Sequence, residues 1–322
     1  MANTQVIYTM EAWPKTEEEP EKRQYTIGMV PKVADIQYFH VAREGAEEAG
    51  RDLGLNILFE GPTIADASKQ VDVIRQLMDR GVDALAVSAN DPELLVPVLR
   101  EARAQGIRVV TWDADVAPEA RELFVNMVDP ELLGRHLLDT LARFTGEQGE
   151  FAVLTGQISA ANQTEWLHWI RVQQQEHYPG MELVEVAVTD DDPHRAYEEA
   201  VRLLQTYPHL AGLIGPASVA PPAAAQAVKE AGLAGKVKVL GLSTPRLMQE
   251  YLRDGSAQMI TLWSPKKLGY LTVALVKLLL EGETPYDGQY IDHVGQIRVN
   301  GDVVIMGEPL DFTAENVSQY DF

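Results

Sequence analysis

Polar and aromatic residues collect at the ends of a series of short apolar runs. Lys32 follows the run 26–30, Ser88-Ala89-Asn90-Asp91 closes 84–88, and Trp112-Asp113-Ala114-Asp115 closes 108–112. In the second half, residues 157–163 follow 151–155, Pro216-Ala217-Ser218 follow 212–215, Ser243-Thr244 follow 238–241, and Trp263-Ser264 close 259–263. Carboxylates accept hydroxyl pairs, amides both donate and accept, and aromatic faces pack on C–H edges. Together these residues form the inventory that holding a polyol demands.

Each has a plainer reading. Asp113 suits a helix cap or a loop acid facing water, Lys32 a solvated lysine, Trp112 and Trp263 core aromatics, and Asn162 an N-cap. Tyr38 and Phe39 open a helical segment and suit its core face or the wall of a site. Asp113 with Asp115 could also serve as an acid/base pair. Acids one residue apart on a loop fix no separation, however, and no nucleophile or metal set accompanies them. G-x-G-x-x-G, G-x-x-x-x-G-K-[ST], G-x-S-x-G and H-E-x-x-H are all absent from the chain. The histidines have no ligand-type spacing, so neither cofactor nor metal is expected.

The candidates gain weight from where the elements place them. The apolar runs 26–30, 56–59, 84–88, 108–112, 151–155, 183–188, 212–215, 238–241 and 259–263 are mostly continuous Val/Ile/Leu, as strands buried on both faces require. Amphipathic segments separate them; in 66–80, Val71, Ile74, Leu77 and Met78 share one face and Asp66 is placed as N-cap. The repeat predicts a doubly wound α/β architecture, whose ligands sit outside the carboxyl ends of the strands. That many strands divide more readily into two lobes than into one sheet, with 115–126 read as the loop between them. After Gly282 the short pieces 289–291, 296–299 and 303–306 are expected to cross between lobes and finish the hinge, and 311–322 to form an exposed tail that packs on one lobe.

The chain has 322 residues, enough for about two domains. Its 46% apolar and 23% charged composition is that of a globular protein. A net charge of −21 disfavours nucleic acid and anionic lipid as partners. There is no cysteine, which excludes disulfides and thiolate chemistry. No stretch is apolar enough to span a bilayer. Residues 1–13 have neither a basic n-region nor an apolar h-region, and the Glu/Pro/Lys/Arg-rich stretch 15–23 reads as a solvated tether.

Several separated pieces then agree in order: Tyr25-Thr-Ile-Gly-Met-Val-Pro-Lys32, Ala89-Asn-Asp-Pro92, Thr111-Trp-Asp-Ala-Asp115, Pro216-Ala-Ser-Val219 with Ala223-Ala-Ala-Gln-Ala-Val228, and Leu262-Trp-Ser-Pro265 with Leu268-Gly-Tyr270. Together they resemble the type I periplasmic sugar-binding proteins of ABC importers, in the branch containing rhamnose-binding and autoinducer-2-binding proteins. The resemblance implies two Rossmann-like lobes joined by a three-segment hinge: a tether at 1–24, a first lobe from 25–126 and 264–294, and a second from 127–263 and 295–322. Ligand contacts would fall on Lys32, Tyr38, Phe39 and Asp113 in the first lobe, and on Asn162, Gln163, Pro216, Ser218 and Trp263 in the second lobe and hinge. Asp115 is kept as a ligand-binding candidate by position. The autoinducer-2 pattern has Asp where this chain has Asn162, and Ala where it has Ser218; the rhamnose-like proteins resemble this chain at both. The expectation is therefore a non-enzymatic receptor for rhamnose or a similar aldose, with an autoinducer-2 receptor as the alternative. It would be a monomer, partnered by a membrane permease, located in the periplasm or anchored outside the membrane.

Overall fold

The computed structural model describes residues 24–322, so the expected tether lies outside the described residues except for Gln24. The first lobe alternates β1 (Thr26–Val30), α1 (Gln37–Leu53), β2 (Asn56–Phe59), α2 (Ala67–Asp79), β3 (Ala84–Val87), α3 (Val96–Ala104), β4 (Arg108–Trp112) and β5 (Leu123–Asn126). The second runs α4 (Pro130–Thr145), β6 (Gly149–Thr155), α5 (Ala161–His177), β7 (Met181–Val188), α6 (Pro193–Thr206), β8 (Leu210–Gly215), α7 (Ala220–Glu230), β9 (Lys238–Gly241), α8 (Pro245–Asp254) and β10 (Met259–Leu262). The chain then returns through α9 (Pro265–Leu280), β11 (Tyr290–Ile291), β12 (Gly295–Gln296), β13 (Arg298–Asn300) and β14 (Val303–Ile305), and ends with β15 (Leu310–Phe312).

Two large sheets result, ordered β13-β14-β5-β4-β3-β1-β2 and β15-β10-β9-β8-β6-β7, and β11 with β12 forms a third of two strands. The architecture is the expected two-lobe α/β arrangement. Local signals set its elements: Asp66 caps α2 by accepting from the amides of Ser68 and Lys69 at 2.8 and 3.2 Å, and Ile74, Leu77 and Met78 are buried under the sheet. Among the described residues, no helix is long and apolar enough to cross a membrane.

The structure corrects three expectations. Part of 115–126, read as a loop, is β5, which lies parallel to β4 with Trp112 opposite Val125. That strand leaves an edge needing a partner, and β14 fills it, with Val304 opposite Val125, while β13 pairs antiparallel on β14. Residues 298–305 therefore belong to the first sheet and not to the second lobe, and the pieces after Gly282 do not themselves cross. The crossings lie at 126–130, 262–265 and 305–310. Finally, 311–322 does pack on one lobe, the second, but it is not simply exposed: β15 pairs antiparallel with β10, and Phe312 is fully buried with the Tyr320 ring 4.8 Å away.

One close contact places part of the site. A Cβ on Gly45 would lie 1.8 Å from the Lys266 carbonyl oxygen, and one on Gly269 would lie 1.9 Å from that of Ala42. Only glycine lets α1 and α9 approach so nearly. The contact ties the first turn of α1, which holds Tyr38 and Phe39, to the start of α9 just after Trp263.

Candidate functional site

Between the lobes, at the carboxyl ends of the strands, a cleft is lined by Lys32, Tyr38, Phe39, Asp113, Asn162, Gln163, Pro216, Ser218 and Trp263. All the positions that the resemblance implies as ligand contacts thus come together, while Asp115, kept by position, does not line the cleft. Ile36, Trp166, Asp191, Ala217, Leu242 and Leu262 complete the wall.

Asp113 anchors the first lobe's side. It follows β4 in a left-handed turn with φ of 63°, a conformation unusual for a residue with a side chain, and it is 3% exposed. Tyr38 Oη donates to its Oδ1 at 3.2 Å and Ser88 Oγ to its Oδ2 at 2.5 Å. Trp263 Nε1 in turn donates to Tyr38 Oη at 2.9 Å, so a hydrogen-bond chain runs from the second crossing into the first lobe. Burial raises the Asp113 carboxyl above its ordinary value, although Lys32, Ser88 and Tyr38 all favour the charged form. Burial, reinforced by the Asp113 charge, also pushes the Tyr38 hydroxyl well above its usual range, so it stays a donor.

Lys32 is held by its neighbours' backbone. Gln70, fully buried on α2, donates to the carbonyls of Pro31 and Ser88 at 3.1 and 2.6 Å, and Asn90 Nδ2 donates to the Lys32 carbonyl at 2.9 Å. These bonds lock the ends of β1 and β3 together. The ammonium then faces two carboxylates, Asp113 Oδ2 at 3.8 Å and, across the cleft, Asp191 Oδ2 at 3.7 Å.

On the other side, α5 presents Asn162, Gln163 and Trp166 from its first two turns. Asn162 lies within the helix, whose N-cap is Ala160. Gln163 Oε1 accepts from the Gln157 amide at 2.5 Å and its Nε2 donates to Asp191 Oδ1 at 3.3 Å. Ser243 Oγ donates to the carbonyl of Ser218 at 2.8 Å, fixing the turn after β8. The lobes also meet at the rim, where Gln157 Nε2 donates to the Ala65 carbonyl at 2.8 Å and Ser159 Oγ to that of Asn90 at 2.9 Å. The cleft is closed.

Asp115 is the exception because it points away from the cleft into an ion pair. Arg121, whose side chain is nearly fully buried, donates from Nε to Asp115 Oδ1 at 2.9 Å and from Nη2 to Oδ2 at 2.8 Å, and it also pairs with Asp302. Thr111 Oγ1 adds a bond to Oδ1 at 2.5 Å. Asp115 is thus a structural clamp between β4 and the β13–β14 hairpin, and the acid/base pair with Asp113 does not form. Trp112, which could have been a cleft residue, lies fully buried in the core with Nε1 donating to the Ala86 carbonyl at 3.1 Å. Asp191 was missed by sequence reasoning, although it obeys the same rule as the others: it follows the carboxyl end of β7.

Among the described residues, one group has metal-ligand chemistry, Glu48, Asp52 and His293. It does not line the cleft, and Lys266 Nζ already sits 2.5 Å from Glu48 Oε2.

The profile of the family described as Periplasmic binding protein domain matches residues 27–284. The chain belongs to that family. It is similar to a D-ribose/D-allose-binding protein of Pseudomonas aeruginosa, 26% identical over 280 residues covering 83% of this chain and 85% of the relative. Among solved structures it resembles an ABC transporter solute-binding protein of Clostridium phytofermentas with bound L-rhamnose, at 28% identity and a TM-score of 0.88, covering 92% of this chain and 98% of the other. It also shares its fold with LsrB of Clostridium saccharobutylicum in complex with AI-2, at 24% identity and a TM-score of 0.87, covering 92% and 100%.

Proposed function

We propose that the protein is an extracytoplasmic solute-binding protein of a carbohydrate ABC importer, which encloses one monosaccharide, rhamnose or a similar aldose, and presents the closed form to a membrane permease. The observation that carries this reading is a closed cleft whose wall alternates carboxylate, amide and hydroxyl groups with the rings of Tyr38, Phe39, Trp166 and Trp263. The L-rhamnose complex and the ribose/allose-binding relative support the ligand class.

An autoinducer-2 receptor is the second reading, favoured by the shared fold with LsrB. Asn162 and Ser218 argue for the sugar, because an amide and a hydroxyl each donate as well as accept toward ring hydroxyls, which a carboxylate and a methyl do not. An enzyme is disfavoured by the position of Asp115, which removes the one candidate acid/base pair.

A thermal-shift screen over L-rhamnose, D-ribose, D-arabinose and autoinducer-2 tests the reading, since a ligand that binds only the native state raises the melting temperature. A rise with a neutral aldose larger than with autoinducer-2 is expected. The reading fails if no aldose raises it, or if NMR shows the bound sugar converted to a product.

A further inference from the structure

We propose that Asp191 is a ligand-contacting carboxylate that selects neutral, hydroxyl-donating sugars and rejects anionic ones; this inference rests on the function proposed above. Asp191 follows β7 in the loop before α6 and is 5% exposed, with φ of 52°. A left-handed turn at an aspartate is tolerated but unfavoured. Here it places the carboxylate in the wall of the cleft.

The two oxygens of that carboxylate differ. Oδ1 accepts from Gln163 Nε2 at 3.3 Å. Oδ2 is buried with no hydrogen-bond partner among the described residues, and Lys32 Nζ stands 3.7 Å off, outside bonding distance. A buried acceptor left in that state is costly, and a ligand hydroxyl donated to Oδ2 removes the cost. Because Lys32 and Asp113 belong to the first lobe and Asp191 to the second, this geometry exists only when the lobes have closed. The contact therefore rewards closure around a donor.

The charges add the selectivity. Among the described residues the cleft wall holds two carboxylates, Asp113 and Asp191, and one cation, Lys32. That cation is already shared between them. A ligand carboxylate or phosphate would bring a third anion into the closed space with no cation left to meet it, which specificity by repulsion exploits.

Calorimetric titration of the full chain with L-rhamnose, D-ribose and D-arabinose, and with D-galacturonate as the anionic probe, tests the proposal. The parent should bind at least one neutral sugar and bind D-galacturonate about 100-fold or more weakly, as an unmatched like charge dictates. Asp191→Asn keeps the shape and tolerates the turn. It should lose about tenfold or more in neutral-sugar affinity, the worth of a hydrogen bond to a charged group. The preference over D-galacturonate should narrow by about tenfold, a change that a merely structural role would not produce. Asp191→Ala gives a second variant, and melting temperatures show that each is folded. A folded variant that binds the neutral sugar within threefold of the parent and keeps the parent's preference overturns the role of Asp191 and leaves the proposed function standing. A parent that binds none of the neutral sugars overturns the proposed function, and this inference with it.

Discussion

The two faces of the cleft are built to different degrees of completeness. In the first lobe, both oxygens of Asp113 already have protein donors, and the Lys32 backbone is stapled by Gln70 and Asn90. In the second, Asp191 keeps one oxygen without a hydrogen bond. The first face is a preorganised floor, and the second is a cover that keeps one carboxylate oxygen, Asp191 Oδ2, for whatever lies between them. The difference teaches that affinity should reside mainly in the first lobe, and selectivity and closure in the second.

The largest expected effect breaks the floor. Asp113→Ala should lower sugar affinity roughly 30- to 1000-fold, about 2–4 kcal/mol, while the protein still melts cooperatively. Binding within threefold of the parent would mean that the floor is not where affinity resides. Next, Trp263→Phe removes the indole donor to Tyr38 and should weaken binding by about tenfold or less. Solution scattering should still show the sugar shrinking the radius of gyration, while much of the ligand-induced tryptophan fluorescence change is lost. Unchanged fluorescence would place the ligand away from this ring.

Asp115→Ala sharpens the contrast from outside the cleft. It strips a partner from buried Arg121, so denaturant unfolding should register a loss of about 1–3 kcal/mol, less than for a fully buried pair because Asp302 remains. Sugar affinity should stay within threefold; a larger drop would return Asp115 to the site. The smallest effect is on pH dependence. Because burial raises the Asp113 carboxyl above 3.8, its protonation stabilises the fold fully below that value, and the contribution is lost as pH rises through the raised value. The stability of the parent relative to Asp113→Asn should therefore fall with rising pH across that window in unliganded melts. A difference that does not vary with pH would show that the carboxyl is not desolvated.

Much of this was legible because both faces follow one rule. Continuous Val/Ile/Leu runs marked β1 to β4 and β6 to β10, and residues just beyond them supplied Lys32, Asp113, Pro216, Ser218 and Trp263. What was not legible has local causes. Leu123-Phe-Val-Asn126 is short and follows the charged stretch from Asp115, so β5 read as loop. With β5 unseen, nothing in the sequence could place β14 beside it. Asp115 misled because side-chain direction after a left-handed turn at Asp113 is not encoded in spacing. Asp191 hid within Asp190-Asp191-Asp192-Pro193, a helix-start pattern that Asp192 satisfies by accepting from the Arg195 amide at 2.9 Å.

The pairing of β14 with β5 has a consequence for how the molecule comes into being. The lobe that a ribosome makes first has a sheet that lacks β13 and β14, and a core that lacks α9, until residues 265–305 have emerged. Closing contacts over so long a stretch of chain is slow. A chain that stops short of β13 leaves β5 as an unpaired edge, open to pairing with its neighbours. Residues 265–305, made only after the second lobe's βα units, complete the first lobe, so that lobe remains short of its native state until they have emerged.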